Sequence, residues 1–330
     1  MSAPPFRSPL GPVMGRFVAL KRALGRGYTQ EETILRALDA FLTEQAPGAR
    51  ELTPATFAAG GQTLGRFRPG VRRTWLRIAR NLCLYRRRTA PGCFVPDPAG
   101  FPAPHQPAAP YILSPVEIAR LLQAADRLRP APGSPLRPAA YRLAVVLFYT
   151  AGLRRGEVTR LTVGDYDAHA QTLCIRASKF HKSRCLPLAP DAGDEIARYL
   201  ALRRAQRRPL APEAPLVWCG AGRVRPYSGG GLGQGFRTLC GAAGVHTPAG
   251  IAPRVHDVRH TFAVQALLRW YAAGEDVQAK LPLLATYMGH ISIVSTQRYL
   301  SFVTPLAGAA TARFAARWGA LIQAPTESGA

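Results

Sequence analysis

Lysine and acid are both scarce in a chain that is otherwise rich in positive charge. Lys and Arg together number 43, yet only Lys21, Lys179, Lys182 and Lys280 are lysines, and Asp and Glu number 19. The net charge is +24 at pH 7. A field of that strength favours a polyanionic partner. Basic ribosome-type proteins are the bland alternative, but they are usually shorter and richer in lysine. A long apolar run is missing too. No stretch of about 18 uncharged apolar residues occurs, so no membrane span is expected. Met1 to Pro12 is Pro-rich without an apolar core, so no secretory leader is expected. The six cysteines (Cys83, Cys93, Cys174, Cys185, Cys219 and Cys240) form no C-x-x-C pair. That argues against structural zinc, and buried free thiols in a reducing cytosol are expected. The Gly-rich run Ser228 to Gly235 lacks a following G-K-[ST]. It reads as a turn opening a helix through Phe236 and Leu239, not as a phosphate loop. The stacking aromatics of an RNA-binding sheet are missing as well.

What is present divides in two. The length of 330 residues suggests two domains, and a 47% apolar share supplies their cores. Residues 1–15 read as a flexible tail. T-Q-E-E from Thr29 reads as a capping box with Glu32 at N3, followed by a helix with Ile34, Leu35, Leu38, Phe41 and Leu42 on one face. A second helix is expected from Thr53-Pro54, and a third from about Pro69 to Arg88. Nine arginines and no acid fall between Arg66 and Arg88. A run without counter-charge is costly unless an anion neutralises it, so Arg66, Arg68, Arg72, Arg73, Arg77 and Arg80 are candidate DNA contacts. Residues 16–90 thus form a small helical bundle. Residues 91–112 read as a Pro-rich linker, able to extend up to roughly 70 Å as polyproline.

The second domain, 113–330, opens with S-P-V-E at Ser114, a helix start with Glu117 at N3. A nearly all-apolar helix, about Pro138 to Ala151, is the expected buried centre. Gly152 closes it as a left-handed cap, and Arg154 opens R-R-G-E-V-T-R-L. There Arg154 sits beside helix N-terminal N–H groups, which together favour an oxygen anion, and Glu157 could hold the guanidinium. Short strands are expected around Val163–Tyr166, Leu173–Arg176 and Arg184–Leu188. The turn A-S-K-F-H-K-S between the last two holds half of the lysines. Unlike arginine, lysine can release a proton when neighbouring cations lower its pKa. Leu216 to Trp218 reads as a further strand. A last helix from Thr304-Pro305 carries the stripe Leu306, Ala310, Phe314, Trp318 and Leu321, suited to the core or to a neighbouring subunit.

The polar points of the segment from Arg254 to Tyr299 carry the chemistry. R-V-H-D-V-R-H-T-F-A is followed some thirty residues on by M-G-H-I-S-I-V-S-T-Q-R-Y-L. His256 and Arg259 share a helix face. The pair His256 and His260 lacks an H-E-x-x-H glutamate and a third ligand, so no metal is expected. An arginine, imidazoles and a phenol together suit a phosphodiester: guanidinium grips the non-bridging oxygens and phenol attacks phosphorus.

G-L-R-x-G-E, a lysine-bearing hairpin, H-x-x-R-H, G-H and a tyrosine nine residues later resemble the tyrosine recombinase (phage integrase) family over about residues 113–303. The resemblance implies a helical core-binding domain followed by an α+β catalytic domain, mostly α with a small antiparallel β-sheet. It implies Arg154, Lys179, His256, Arg259, His290 and Tyr299 as catalytic residues, with Glu157, Lys182 and His260 supporting; Lys182 could exchange roles with Lys179. It implies cleavage and rejoining of double-stranded DNA through a 3′-phosphotyrosine, with no cofactor, by a tetramer assembled on DNA, with accessory DNA-bending proteins as further partners. Cytoplasmic, nucleoid-associated work on a phage or other mobile element is the expectation. A type IB topoisomerase-like nicking-closing enzyme and an inactive DNA-binding accessory protein are the rivals.

Overall fold

The computed structural model describes residues 6–104, 109–176, 183–220, 225–290 and 292–301. The lysine-bearing turn expected at 177–182 and the helix expected after Thr304 lie outside them. Contacts divide the chain into two units, Met1–Ala108 and Ala109–Ala330. Among the described residues no helix is long and apolar enough to cross a membrane.

In the first unit, helices α1 (Gly11–Ala23), α2 (Thr29–Gln45), α3 (Pro54–Gln62) and α4 (Pro69–Arg86) follow one another. Met14, Phe17, Leu35, Leu42, Ile78 and Leu82 from α1, α2 and α4 form the core. Residues 6–15 are not a flexible tail. The Asp39 carboxylate accepts the backbone N–H groups of Arg7 (2.8 Å) and Ser8 (2.9 Å) and the Ser8 hydroxyl (2.6 Å), and Leu10 is buried beside them. Thr29 is not the cap of α2: Tyr28 occupies that place in the left-handed conformation, without a side-chain cap. Glu32 turns instead to Arg22 and Arg36, exchanging a cap for two charge pairs. α3 does have its cap, through reciprocal bonds between Thr53 and Thr56.

The Pro-rich stretch is not extended over 91–104. The Phe94 and Phe101 rings lie 6.0 and 6.1 Å from that of Phe57. Arg80 donates to the Pro96 carbonyl at 3.0 Å and Arg73 to that of Pro102 at 2.6 Å. Proline offers an acceptor without a donor, so arginines on α4 satisfy it.

The second unit begins with α5 (Pro115–Asp126), whose capping box pairs Ser114 and Glu117. α6 (Arg137–Thr150) is the central helix, with Leu143, Ala144, Leu147 and Phe148 at most 1% exposed. Each large apolar side chain so buried contributes roughly 1.5–3 kcal/mol. The four-residue α7 (Arg155–Val158) follows, then β1 (Tyr166–Asp167), β2 (Thr172–Ile175) and β3 (Arg184–Pro187) in an antiparallel sheet of that order. Val163–Asp165 is a 3-10 turn, which delays the first strand. The register pairs Leu173 with Leu186, Cys174 with Cys185 and Ile175 with Arg184. Alternation turns Leu173, Ile175 and Leu186 into the core and the two cysteines away from it. Facing each other across the ladder, Cys174 and Cys185 form a disulfide, so these two are not free thiols; Cys83, Cys93, Cys219 and Cys240 are.

α8 (Pro190–Ala205), α9 (Gly229–Ala242), α10 (Val255–Ala272), α11 (Val277–Met288) and α12 (Val294–Ser301) complete the described unit. Leu216–Trp218 forms no strand; Trp218 makes an isolated bridge to Pro226, and Pro215 just before the segment makes one to Thr162. The Gly-rich run is not a turn but the first turns of α9, capped by Ser228. Packing explains Gly235: a Cβ there would stand 2.0 Å from the Tyr141 hydroxyl.

Candidate active site

Two left-handed glycines shape the site. Gly152 (φ +58°) ends the segment after α6, and a Cβ there would strike the Phe262 ring at 2.4 Å. Gly289 (φ +68°) caps α11, and a Cβ there would lie 2.7 Å from the Arg184 guanidinium and 3.3 Å from that of Arg154. Each glycine turns the chain and admits a neighbour that any side chain would exclude.

Between them lies Glu157, 2% exposed. Oε1 accepts Arg154 at 2.8 Å and Arg184 at 3.0 Å; Oε2 accepts the Arg154 backbone N–H at 2.9 Å and Arg184 at 3.0 Å. Arg259 stands 3.9 Å from Oε2. Burial alone would raise the Glu157 pKa. The hydrogen bonds from Arg184 and the Arg154 backbone, with both guanidinium charges, outweigh it and hold the group at about 2. The Arg154 N–H is therefore taken by Glu157 and does not face an incoming anion.

The C-terminal end of α11 orients the arginines. Three successive carbonyls each accept one guanidinium: Tyr287 from Arg184 (2.8 Å), Met288 from Arg259 (2.7 Å) and Gly289 from Arg154 (2.7 Å). Such carbonyls lack intrahelical partners and carry the negative end of the helix dipole. Arg259, 1% exposed, also donates to the Gly152 carbonyl, while its Nε has no partner. Burial and the Arg154 charge lower its pKa to about 10, so it stays protonated at neutral pH.

The rings assemble on the same side. Tyr299 of α12 is 4% exposed, and its phenol lies in the field of Arg259 and, more weakly, of Arg154. Burial raises the phenol's pKa against the opposing charges of Arg259 and Arg154. The His290 ring stacks 6.2 Å from that of Tyr299, and its Nδ1 is 2.8 Å from the buried Thr296 hydroxyl. The His260 ring lies 5.3 Å from Tyr299 and 4.5 Å from His256. Burial, then neighbouring positive charge, pushes His290 down to about 4; burial, then His256, does the same to His260. His256 is lowered by desolvation and then by Arg259, although it keeps an exposed edge.

The structure thus brings together Arg154, Glu157, His256, Arg259, His260, His290 and Tyr299. Lys179 and Lys182 fall outside the described residues. Arg66, Arg68, Arg72, Arg73, Arg77 and Arg80 belong to the other unit, where Arg66, Arg68 and Arg77 are exposed and Arg73 and Arg80 hold the Pro-rich stretch. The sequence reading missed Arg184 and Thr296. Strand alternation held a signal for the first, since Arg184 shares a face with buried Leu186.

Residues 112–303 match the Phage integrase family. A protein described as putative integrase/recombinase y4rB of Sinorhizobium fredii (strain NBRC 101917 / NGR234) is 32% identical over 305 residues, covering 92% of this chain and 96% of that one. Among solved structures, the Tn1549 transposon integrase in complex with transposon right end DNA superposes with a TM-score of 0.60 at 15% identity, over 92% of this chain and 98% of that one. A lambda integrase tetramer bound to a Holliday junction gives 0.55 at 18% identity, over 86% and 77%. A mostly helical fold with this small sheet and site is that of a tyrosine recombinase. The chain belongs to the phage integrase family, whose members cut and rejoin DNA.

Proposed function

We propose that this protein recombines DNA at specific sites through a 3′-phosphotyrosine intermediate, in the integration, excision or transposition of a mobile element. The observation that carries the reading is the Tyr299 phenol, buried beside Arg259 in its own chain and within the field of Arg154. In the proposed step the Tyr299 oxygen bonds to the scissile phosphorus, and the bond from phosphorus to the 5′ oxygen breaks. The phosphotyrosine ester conserves the energy needed for rejoining, so no nucleotide cofactor is required. Arg154 and Arg259 offset the charge of the pentacoordinate state. The buried, unpartnered Nε of Arg259 is a donor that a phosphate oxygen would satisfy. With lowered pKa values, His256 and His290 are neutral imidazoles able to accept the phenol proton or hydrogen-bond the phosphate. Lys179, or Lys182 in its place, protonates the departing 5′ oxygen.

An integrase or recombinase role draws on the y4rB relative, the mobile-element role on the transposon integrase, and a tetramer on DNA on the lambda integrase assembly. Double-stranded DNA is the partner, and accessory DNA-bending proteins belong to the same reading. The test is a nicked suicide duplex that traps the covalent complex. Wild type should form it; Tyr299→Phe should bind the duplex equally and form none. Adduct in the variant would move the nucleophile elsewhere. Joining of two separate duplexes would distinguish recombination from nicking and closing.

A further inference from the structure

We infer that Arg184 is a positioning residue for strand cleavage, acting through Glu157 and the end of α11 on the guanidiniums of Arg154 and Arg259. The inference rests on the cleavage activity proposed above. Arg184 is 11% exposed and spans both Glu157 oxygens at 3.0 Å, while its Nε holds the Tyr287 carbonyl at 2.8 Å. All three of its nitrogens are engaged in this way, so it acts through other groups.

Two consequences follow from that geometry. First, Glu157 faces Arg154 and Arg259 as well, at 2.8 and 3.9 Å. With Arg184 in place, three guanidiniums share one carboxylate, leaving a net +2 to face a phosphate. Without it, Glu157 is free to rotate fully onto the other two arginines, and the net falls to +1. Second, Arg184 fixes the first of three successive carbonyls, and the next two orient Arg259 and Arg154 at 2.7 Å each. The close approach of Arg184 to Gly289, 2.7 Å from a Cβ built there, ties its side chain to the turn that leads into His290.

The experiment compares single-turnover cleavage of two suicide duplexes, one with an ordinary scissile phosphate and one with a neutral methylphosphonate there. Arg184→Gln should bind DNA within about threefold of wild type and cleave the ordinary duplex about a hundredfold more slowly, the scale of a misplaced active-site group. On the methylphosphonate, which demands less cationic compensation, its deficit relative to wild type should shrink to about tenfold or less. A purely structural lesion would lower both rates by one factor. Equal deficits on the two duplexes, or wild-type cleavage by the variant, would overturn the inference. Should Arg184→Gln not fold, Arg184→Lys carries the same contrast, because a single ammonium cannot span both oxygens and the carbonyl; a loss of about tenfold is expected. Absence of adduct with wild type on the ordinary duplex would instead sink the cleavage activity itself.

Discussion

Arg154 and Glu157 are bonded twice over: the carboxylate accepts the arginine's backbone N–H at 2.9 Å and its guanidinium at 2.8 Å. The backbone bond fixes the turn, and the side-chain bond fixes the direction of the cation. One buried carboxylate thereby converts a local helix start into the anchor of a cationic site.

Glu157→Gln should therefore destabilise the fold in a pH-dependent way. The carboxyl falls from an ordinary 4.5 to about 2 on folding. A depressed pKa contributes stability that is full above the unfolded value and lost as pH falls through the folded one. The difference amounts to about 3 kcal/mol. Denaturant unfolding should show wild type ahead of the variant by about that much above roughly pH 5, with the gap closing toward pH 2. A gap independent of pH would contradict the role of the charge.

The histidines should resist protonation. His290 and His260 are pushed down to about 4, each by burial first. In the free protein their ring resonances should stay unchanged from about pH 8 to 5.5, where an ordinary histidine titrates near 6.5. The sign matches that of Glu157: the folded state binds fewer protons than the unfolded chain, so these groups cost stability as pH falls from 6.5 toward 4. A His290 midpoint near 6.5 would show that neither its burial nor the neighbouring arginines hold it down.

Arginines of α4 should separate into two behaviours. Arg77 is exposed, whereas Arg80 holds the Pro96 carbonyl at 3.0 Å. Arg77→Ala should weaken DNA binding and lower the salt slope by about 1, with the thermal midpoint preserved. Arg80→Ala should cost about 1.5–3 kcal/mol of stability, the scale of a hydrogen bond from a charged group. The reverse pattern would place DNA on the other face of the helix.

Local rules made much of this structure legible. S-P-V-E at Ser114, the apolar run of α6 and the glycine at 152 each act within a few residues, so spacing alone exposed them. What escaped depends on distant partners. Thr29 looked like a cap, but Glu32 found Arg22 and Arg36. Residues 6–10 looked like a tail until Asp39, some thirty positions on, accepted their N–H groups. The Cys174–Cys185 disulfide follows from strand register, which no C-x-x-C search detects. Arg184 was hidden for the same reason: its partners, Glu157 and the Tyr287 carbonyl, are 27 and 103 residues away. The motif residues were visible because their spacing is distinctive, whereas the carbonyl row that aims them carries no side-chain signature at all.

The most direct measurement is the identity of the DNA-linked amino acid. Wild-type protein trapped on a nicked duplex should yield, after proteolysis and mass spectrometry, a peptide joined through Tyr299 to a 3′-phosphate, with a free 5′-hydroxyl on the released strand. Attachment through any other residue, or through a 5′-phosphate, would contradict the site assembled around Arg154, Arg259 and this phenol.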